Sequence, residues 1–442
     1  MEKKRHRQLE EYFERYPELR REVDRRRIRD FRLFASGVVL HLEDGGQVRL
    51  HPKLKTQGKR DRLQAFFHRL LRSGFPGWRI ERVMAGTDRL RHQTAALLRV
   101  ILSRGPRRLA VVIAYPDEPA DLTNRILSAA ILWWRRLERR ARCERLVILL
   151  PEGWSERILL LLPRLRIRTA VYKYEVSDAR SLRQIYPRPI ESSEVRSPYV
   201  MFTYEGEPPG LLTEMRDECP DLDLVYRQNR WELTYLGLRV LWYDAGKKEY
   251  LFDLRSPTVW RSSDHPRLLA HIAEVKRMRA FPPPAAASFH YREAPELWLE
   301  SLILRDHRSL NPDFAEIIYS QVPTCLDGER KILDLLTVTN GGRLAVIELK
   351  IQKDLDLVFQ GLDYWERVEY HLRNGDFQAA GYFPGMGLSE APPLLYLVSP
   401  LFEYHGVLPL FRHYLRTGLA PFCVGINSDW RGGIRILRRF EL

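Results

Sequence analysis

Lys331 to Tyr364, KILDLLTVTNGGRLAVIELKIQKDLDLVFQGLDY, decides the fold. An apolar run, a Gly-rich turn, a second apolar run and a helical pattern follow one another. Asp334 sits in the first run, and Glu348 and Lys350 close the second. Two residues apart on a strand, Glu348 and Lys350 point to one face. The turn decides whether Asp334 joins them. A three-residue loop of Asn340, Gly341 and Gly342 sets Thr339 opposite Arg343 and Asp334 opposite Glu348. A two-residue Asn-Gly turn slips the register by one and sends Asp334 to the other face. The three-residue loop is preferred here, with glycine supplying the positive φ that it needs. Leu335, Leu336, Val338, Leu344, Val346 and Ile347 are apolar on both faces, the pattern of a strand pair inside an α/β sheet.

Two clustered carboxylates at the end of a buried sheet repel one another unless a cation sits between them. Hard oxygen ligands suit Mg²⁺, which binds through one or two carboxylates plus substrate phosphate. A neighbouring lysine can orient or deprotonate a water and offset charge on a phosphate. Together these groups suit metal-assisted phosphodiester hydrolysis. An exposed strand end would carry the same tripeptide for solubility alone. The buried hairpin, Asp334 and the following helix favour the site.

Asp334, a hairpin of this length, then Glu348-Leu-Lys350 resembles the PD-(D/E)XK nuclease superfamily. Leu333 stands where the motif has proline, a departure that many members tolerate. Gln360-Gly-Leu-Asp-Tyr364 is similar to the Gln-x-x-x-Tyr motif of the RecB-like branch, and Gln360 and Tyr364 share a helix face. Upstream, PELWLESLILRD resembles that family's first helix, which contributes a Glu. Glu300 is the first choice for it and Glu296 the second, since both lie on one helix face. The resemblance covers about the last third of the chain. It implies a restriction-endonuclease-like fold, a mixed sheet flanked by helices. It also implies a metal held by Asp334, Glu348 and the Leu349 carbonyl. Lys350 would position the attacking water and stabilise developing charge. Glu300 would act through water or a second metal, and Gln360 would orient Lys350 or the scissile phosphate. Tyr364 belongs to the motif, although core packing explains it equally well.

The 442 residues suggest two or three domains, and 45% hydrophobic residues suffice for real cores. The net charge of +15 is uneven: Tyr291 to Leu442 holds 16 Lys/Arg against 20 Asp/Glu, about −4, which leaves about +19 on the first 290 residues. An acidic last third suits a cation site, and a basic remainder suits a polyanion partner such as DNA. Cys143, Cys219, Cys325 and Cys423 are far apart and form no CxxC or Cys/His metal spacing. They fit a reducing cytoplasm and argue against structural zinc. Neither a signal peptide nor an apolar run long enough to span a membrane is visible, so no membrane association is expected.

Residues 1–30 read as a highly charged helical arm, with Pro17 as a break. Phe31 onward alternates around Asp44-Gly-Gly as a hairpin. Residues 62–71 read as an amphipathic helix, and 94–102 also read as helical. RRLAVVIAYPDEP is a strand, 122–137 a helix, RLVILLPEGW a strand, SERILLLLPRLR a helix and RTAVYKYEV a strand. That order repeats in the last third, from RLAVIELKI through VFQGLDYWERVEYHL to PLLYLVSP and APFCVGIN. Aligning Arg108 with Arg343 sets Ile113 at the place of Glu348 and Tyr115 at that of Lys350. Residues 31–180 are therefore expected to be either a second copy of the nuclease-like fold without its catalytic residues, or an unrelated βαβ unit of similar pattern. Arg135, Arg136, Arg139 and Arg140 cluster beside Trp133 and Trp134. The tryptophans are expected in the core, and the arginines either bind nucleic-acid backbone or solvate the helix. Residues 181–280 read as a β-rich module, with a meander over 222–254. Residues 281–289 read as a Pro/Ala linker and 290–442 as the nuclease-like domain.

These readings lead to a Mg²⁺-dependent (Mn²⁺ as an alternative) nuclease acting on DNA, as a monomer or homodimer. The alternative is a nucleic-acid-binding protein that keeps the nuclease fold without cleaving.

Overall fold

In a computed structural model the residues described are 28–34, 37–42, 47–50, 56–85, 97–116, 118, 123–138, 141–190, 192–195, 208–227, 230–282, 289–416 and 419–442. The chain forms two compact units, Met1–Pro187 and Arg188–Leu442.

The first unit opens with an antiparallel meander of β1 (Ile28–Phe34), β2 (Gly37–Leu42) and β3 (Gln47–Leu50). The expected charged arm lies outside the described residues up to 27, and 28–30 are strand rather than helix. Helix α1 (Thr56–Gly74) precedes a six-stranded sheet. Its strands are β4 (Arg79–Met84), β5 (Leu97–Arg104), β6 (Arg107–Ala114), β7 (Arg145–Pro151), β8 (Thr169–Glu175) and β9 (Asp178–Ile185). Helix α2 (Thr123–Glu138) joins β6 to β7, and the single turn α3 (Ile158–Leu161) lies between β7 and β8.

Two further expectations fail in this unit. The segment read as a helix over 94–102 forms β5, whose first six residues are all buried. A run of apolar residues broken only by the buried Arg99 carries no period that separates a buried strand from a buried helix. The boundary drawn at 180 falls inside β9, a polar edge strand that continues to Ile185.

The second unit contains two sheets. A five-stranded meander of β11 (Asp223–Arg227), β12 (Arg230–Tyr235), β13 (Leu238–Asp244), β14 (Glu249–Phe252) and β15 (Thr258–Val259) packs against α4 (Gly210–Glu218) and α5 (His265–Met278). Of the expected linker, 283–288 lies outside the described residues, and Phe289 opens α6 (Phe289–Arg292). Helix α7 (Pro295–Arg305) follows. The larger sheet runs in the order β10 (Ser193–Val195), β16 (Phe314–Leu326), β17 (Glu329–Thr339), β18 (Leu344–Leu349), β19 (Leu394–Pro400), β20 (Phe422–Ile426) and β21 (Ile436–Glu441). Helices α8 (Leu357–Arg373) and α9 (Asp376–Ala379) connect β18 to β19, and α10 (Leu408–Phe411) lies between β19 and β20.

The two mixed sheets share one topology. In each, six strands lie in sequence order: two antiparallel pairings, two parallel ones, then an antiparallel one. A helix precedes each first strand, and a long helix makes each first parallel crossover. A different order or connection would have ruled out a duplication. In the first sheet Ile113 pairs with Leu98, and both are buried, as is Tyr115. The row that carries Asp334, Glu348 and Lys350 in the second sheet is thus apolar in the first.

In the second sheet the turn residues set the register. Leu335 pairs with Ile347 and Val338 with Leu344, so Asp334 falls opposite Glu348. Thr339 and Arg343 close a three-residue loop, and Gly342 has φ +82°. Trp298, Leu299 and Ile303 of α7 pack on Leu335, Ala345, Ile347 and Leu349. Each such apolar side chain stabilises the fold by about 1.5–3 kcal/mol. Helix α8 lies against Leu395 and Leu397, the other parity of β19. Gly361 permits this approach, since a Cβ there would come within 2.7 Å of the Leu397 side chain.

Candidate active site

The apolar alternation that buries Ala345, Ile347 and Leu349 on one face directs Glu348 and Lys350 to the other. Glu348 is fully buried, and its carboxylate is paired with the Lys350 ammonium. Lys350 Nζ lies 3.2 Å from Glu348 Oε1 and 3.9 Å from Glu296 Oε1. Asp334 Oδ2 accepts the Leu349 backbone N–H at 2.9 Å. Lys350 itself follows the strand, its N–H donating to the Val398 carbonyl at 3.0 Å. Asp334, Glu348, Leu349, Lys350 and Glu296 therefore form one cluster at the end of β18.

The electrostatics follow from this crowding. Burial pushes the Glu348 carboxyl well up, and the Asp334 charge beside it pushes further, with Lys350 opposing. Burial also raises Asp334; the Leu349 N–H and Lys350 draw it back. For Lys350, burial alone lowers the pKa, but Glu348, Glu296 and Asp334 outweigh it, and the net shift is upward. Lys350 is thus an ammonium at neutral pH, suited to holding a water or a phosphate oxygen rather than to taking a proton.

Two adjacent buried carboxylates that share a single ammonium, Lys350, fit a hard divalent cation. Among the described residues no group of three or more His, Cys, Asp or Glu is gathered at ligand spacing. The set is a two-carboxylate one, the kind Mg²⁺ occupies together with substrate phosphate.

Of the two helix glutamates, Glu296 reaches the cluster. Glu300 is buried and accepts from Ser320 Oγ and Gln321 Nε2, each at 2.6 Å. Its carboxylate thereby ties α7 to β16, while the more N-terminal Glu296 extends past the strand end. Four residues apart, the two share a face, so spacing alone could not separate them. Gln360 Nε2 donates to the Tyr364 hydroxyl at 3.4 Å, and Tyr364 is buried. Gln321 was not singled out from the sequence. It stands opposite Asp334 by the register of β16 on β17 and has φ +53°.

Arg279 was also missed. Its guanidinium, fully buried, donates to the carbonyls of Leu236, His290, Glu293 and Ala294 at 2.7–3.2 Å. Ala294, left-handed at φ 43°, is the residue from which α7 starts, so Arg279 fixes the helix end that carries Glu296. Nothing in the local sequence marks it.

In the first unit Trp133 and Trp134 are buried, as expected, and Trp134 Nε1 donates to Glu138 at 2.8 Å. Arg135 and Arg136 are half-buried at the end of α2. Arg139 and Arg140 lie outside the described residues. Among the described residues no helix is long and apolar enough to cross a membrane. No protein-family model matches the chain, and neither does any curated protein sequence.

Proposed function

We propose that the second unit is a metal-dependent nuclease that hydrolyses DNA phosphodiester bonds, with a restriction-endonuclease-like sheet as its scaffold. The observation that carries this reading is Glu348. It is fully buried beside Asp334, and with Glu296 nearby the carboxylates outnumber the Lys350 ammonium paired to Glu348, an excess of negative charge that opposes folding unless a cation balances it. Lys350, on the same face, supplies the third group that such chemistry requires.

Asp334, Glu348 and the Leu349 carbonyl would hold Mg²⁺ or Mn²⁺. When bound, the metal lowers the pKa of a water and polarises the phosphate. Lys350 orients that water and offsets negative charge building on the phosphate oxygens. Glu296 holds Lys350 from the far side and keeps it charged. Glu300 acts through Gln321, the residue opposite Asp334. Gln360 and Tyr364 brace the helix beside the site. The basic first unit, with Arg135, Arg136, Arg139 and Arg140, would add salt-sensitive affinity for the DNA backbone. Its apolar row in place of the catalytic one makes it a binding rather than a cleaving copy.

Incubation with circular, linear, flapped and single-stranded DNA in Mg²⁺, Mn²⁺ or EDTA tests this. Cleavage in either metal and none in EDTA is expected. Tight binding with every DNA left intact in both metals would favour the non-cleaving reading.

A further inference from the structure

A cavity of about 470 Å³ lies in the second unit between the five-stranded meander and the β16–β17 end of the larger sheet. This is the size of a small-molecule site. Its wall is built partly from neighbours of the candidate cluster on β16, β17 and α7. Gln321, in its wall, stands opposite Asp334 in register. Ile332 and Arg330, also in its wall, precede Asp334 by two and four residues on β17. Burial alternates here: Arg330 and Ile332 are exposed and Asp334 partly so, while Leu333 is buried. These three side chains therefore share the open face of the strand. The first turn of α7 borders both places, with Leu297 lining the cavity and Glu296 reaching Lys350.

At about 3.4 Å per residue, Ile332 lies ~7 Å and Arg330 ~14 Å along the strand from Asp334. Stacked nucleotides advance about 3.4 Å each along one strand, so the cavity is within a few nucleotides of the scissile phosphate.

The wall chemistry indicates which part of a nucleotide enters. Three acids (Glu194, Glu232, Glu293) balance three bases (Arg239, Arg330, Lys331). Glu232 and Arg239 already neutralise one another at 2.7 Å. A phosphate needs a surplus of positive charge, which the described wall residues lack. Leu238, Leu254 and Pro323 offer apolar surface, and the paired charges offer both donors and acceptors. That combination suits a neutral heteroaromatic ring with a hydrogen-bonding edge.

Resting on the nuclease reading, we infer that this cavity receives an unpaired nucleobase next to the cleaved bond. The substrate is therefore DNA that is single-stranded, flapped or frayed there. A base stacked and paired within a continuous duplex reaches the cavity only after unstacking, at a cost of about a few kcal/mol.

Cys325, half-buried in the cavity wall, reports occupancy. The experiment measures its alkylation by iodoacetamide in full-length Cys143→Ser/Cys219→Ser protein, in EDTA, with single-stranded DNA or blunt duplex of the same sequence. At ten times its Kd, the single strand should slow alkylation about tenfold by mass action. Duplex at equal saturation should slow it little. Equal protection by both forms overturns the inference, as does no protection by the single strand, whether it binds elsewhere or not at all. Cleavage by the same protein and by its Lys350→Ala variant separates the two claims. Protection without metal-dependent cleavage leaves the cavity and removes the nuclease. Cleavage lost in Lys350→Ala, but without protection, does the reverse.

Discussion

Replacing Glu348 by Gln should stabilise the metal-free protein and flatten its pH dependence. Glu348 is fully buried, and burial and the Asp334 charge raise its carboxyl, with the paired Lys350 opposing. A carboxyl whose folded pKa lies above its unfolded value of about 4.3 binds more protons in the native state. Stability is therefore greatest below the unfolded value and falls as pH rises toward the folded one. The slope is about 1.4 kcal/mol per pH unit for each extra proton held. Asp334 shifts in the same direction, so the pair's slope reaches at most about 2.7 kcal/mol per unit, shared between coupled groups. Lys350, raised above its ordinary value, contributes stability that is lost only in the alkaline range and adds no slope near neutrality. In Glu348→Gln one titrating group is gone and Asp334 loses its like-charged neighbour, so the slope should fall by at least about half. Mg²⁺ at 100 times its Kd should restore about 2.7 kcal/mol to wild type and little to the variant. Urea titrations from pH 5 to 8, read by hydrogen exchange of β17 and β18 peptides, measure both quantities. Equal slopes in the two proteins, or equal stabilisation by Mg²⁺, would refute the reasoning.

Arg279→Met removes five hydrogen bonds from one buried guanidinium to four carbonyls, and should cost about 3–5 kcal/mol, read by urea denaturation. Gly342→Ala forces a side chain onto a φ of +82° and into the Gly387 carbonyl; about 2–5 kcal/mol is expected from the same measurement. Arg135→Ala/Arg136→Ala should weaken DNA binding regardless of sequence and reduce the slope of log K against log salt by about 1.8, measured by anisotropy at several salt concentrations. An unchanged slope would make those arginines solvating residues only.

The β17–β18 hairpin was legible because its loop had three residues and its strands were apolar on both faces. Register then followed by counting from Thr339 to Asp334, and the structure has that register. The α/β class and most elements of the last third were legible for the same reason: long apolar runs separated by turn residues. Segment 97–104 was misread because a single Arg99 among Leu97, Leu98, Val100, Ile101 and Leu102 leaves no alternation to read. β9 went unseen because its DARSLRQI sequence is a polar edge, and β16 because Pro323 and Gln321 interrupt its pattern. Glu296 and Glu300 could not be ordered by spacing, since four residues is one helix turn. Where α7 begins separates them, and Arg279 sets that through contacts distant in sequence.

The most direct measurement is the rate of DNA cleavage in Mg²⁺ by wild type and Lys350→Ala, with both proteins saturated with the same DNA. Loss of a single charge-stabilising group should reduce the rate about 10²–10³-fold while affinity stays nearly constant. Equal rates in the two proteins, or no Mg²⁺-dependent cleavage by wild type, would contradict the assignment of Asp334, Glu348 and Lys350 as a nuclease site.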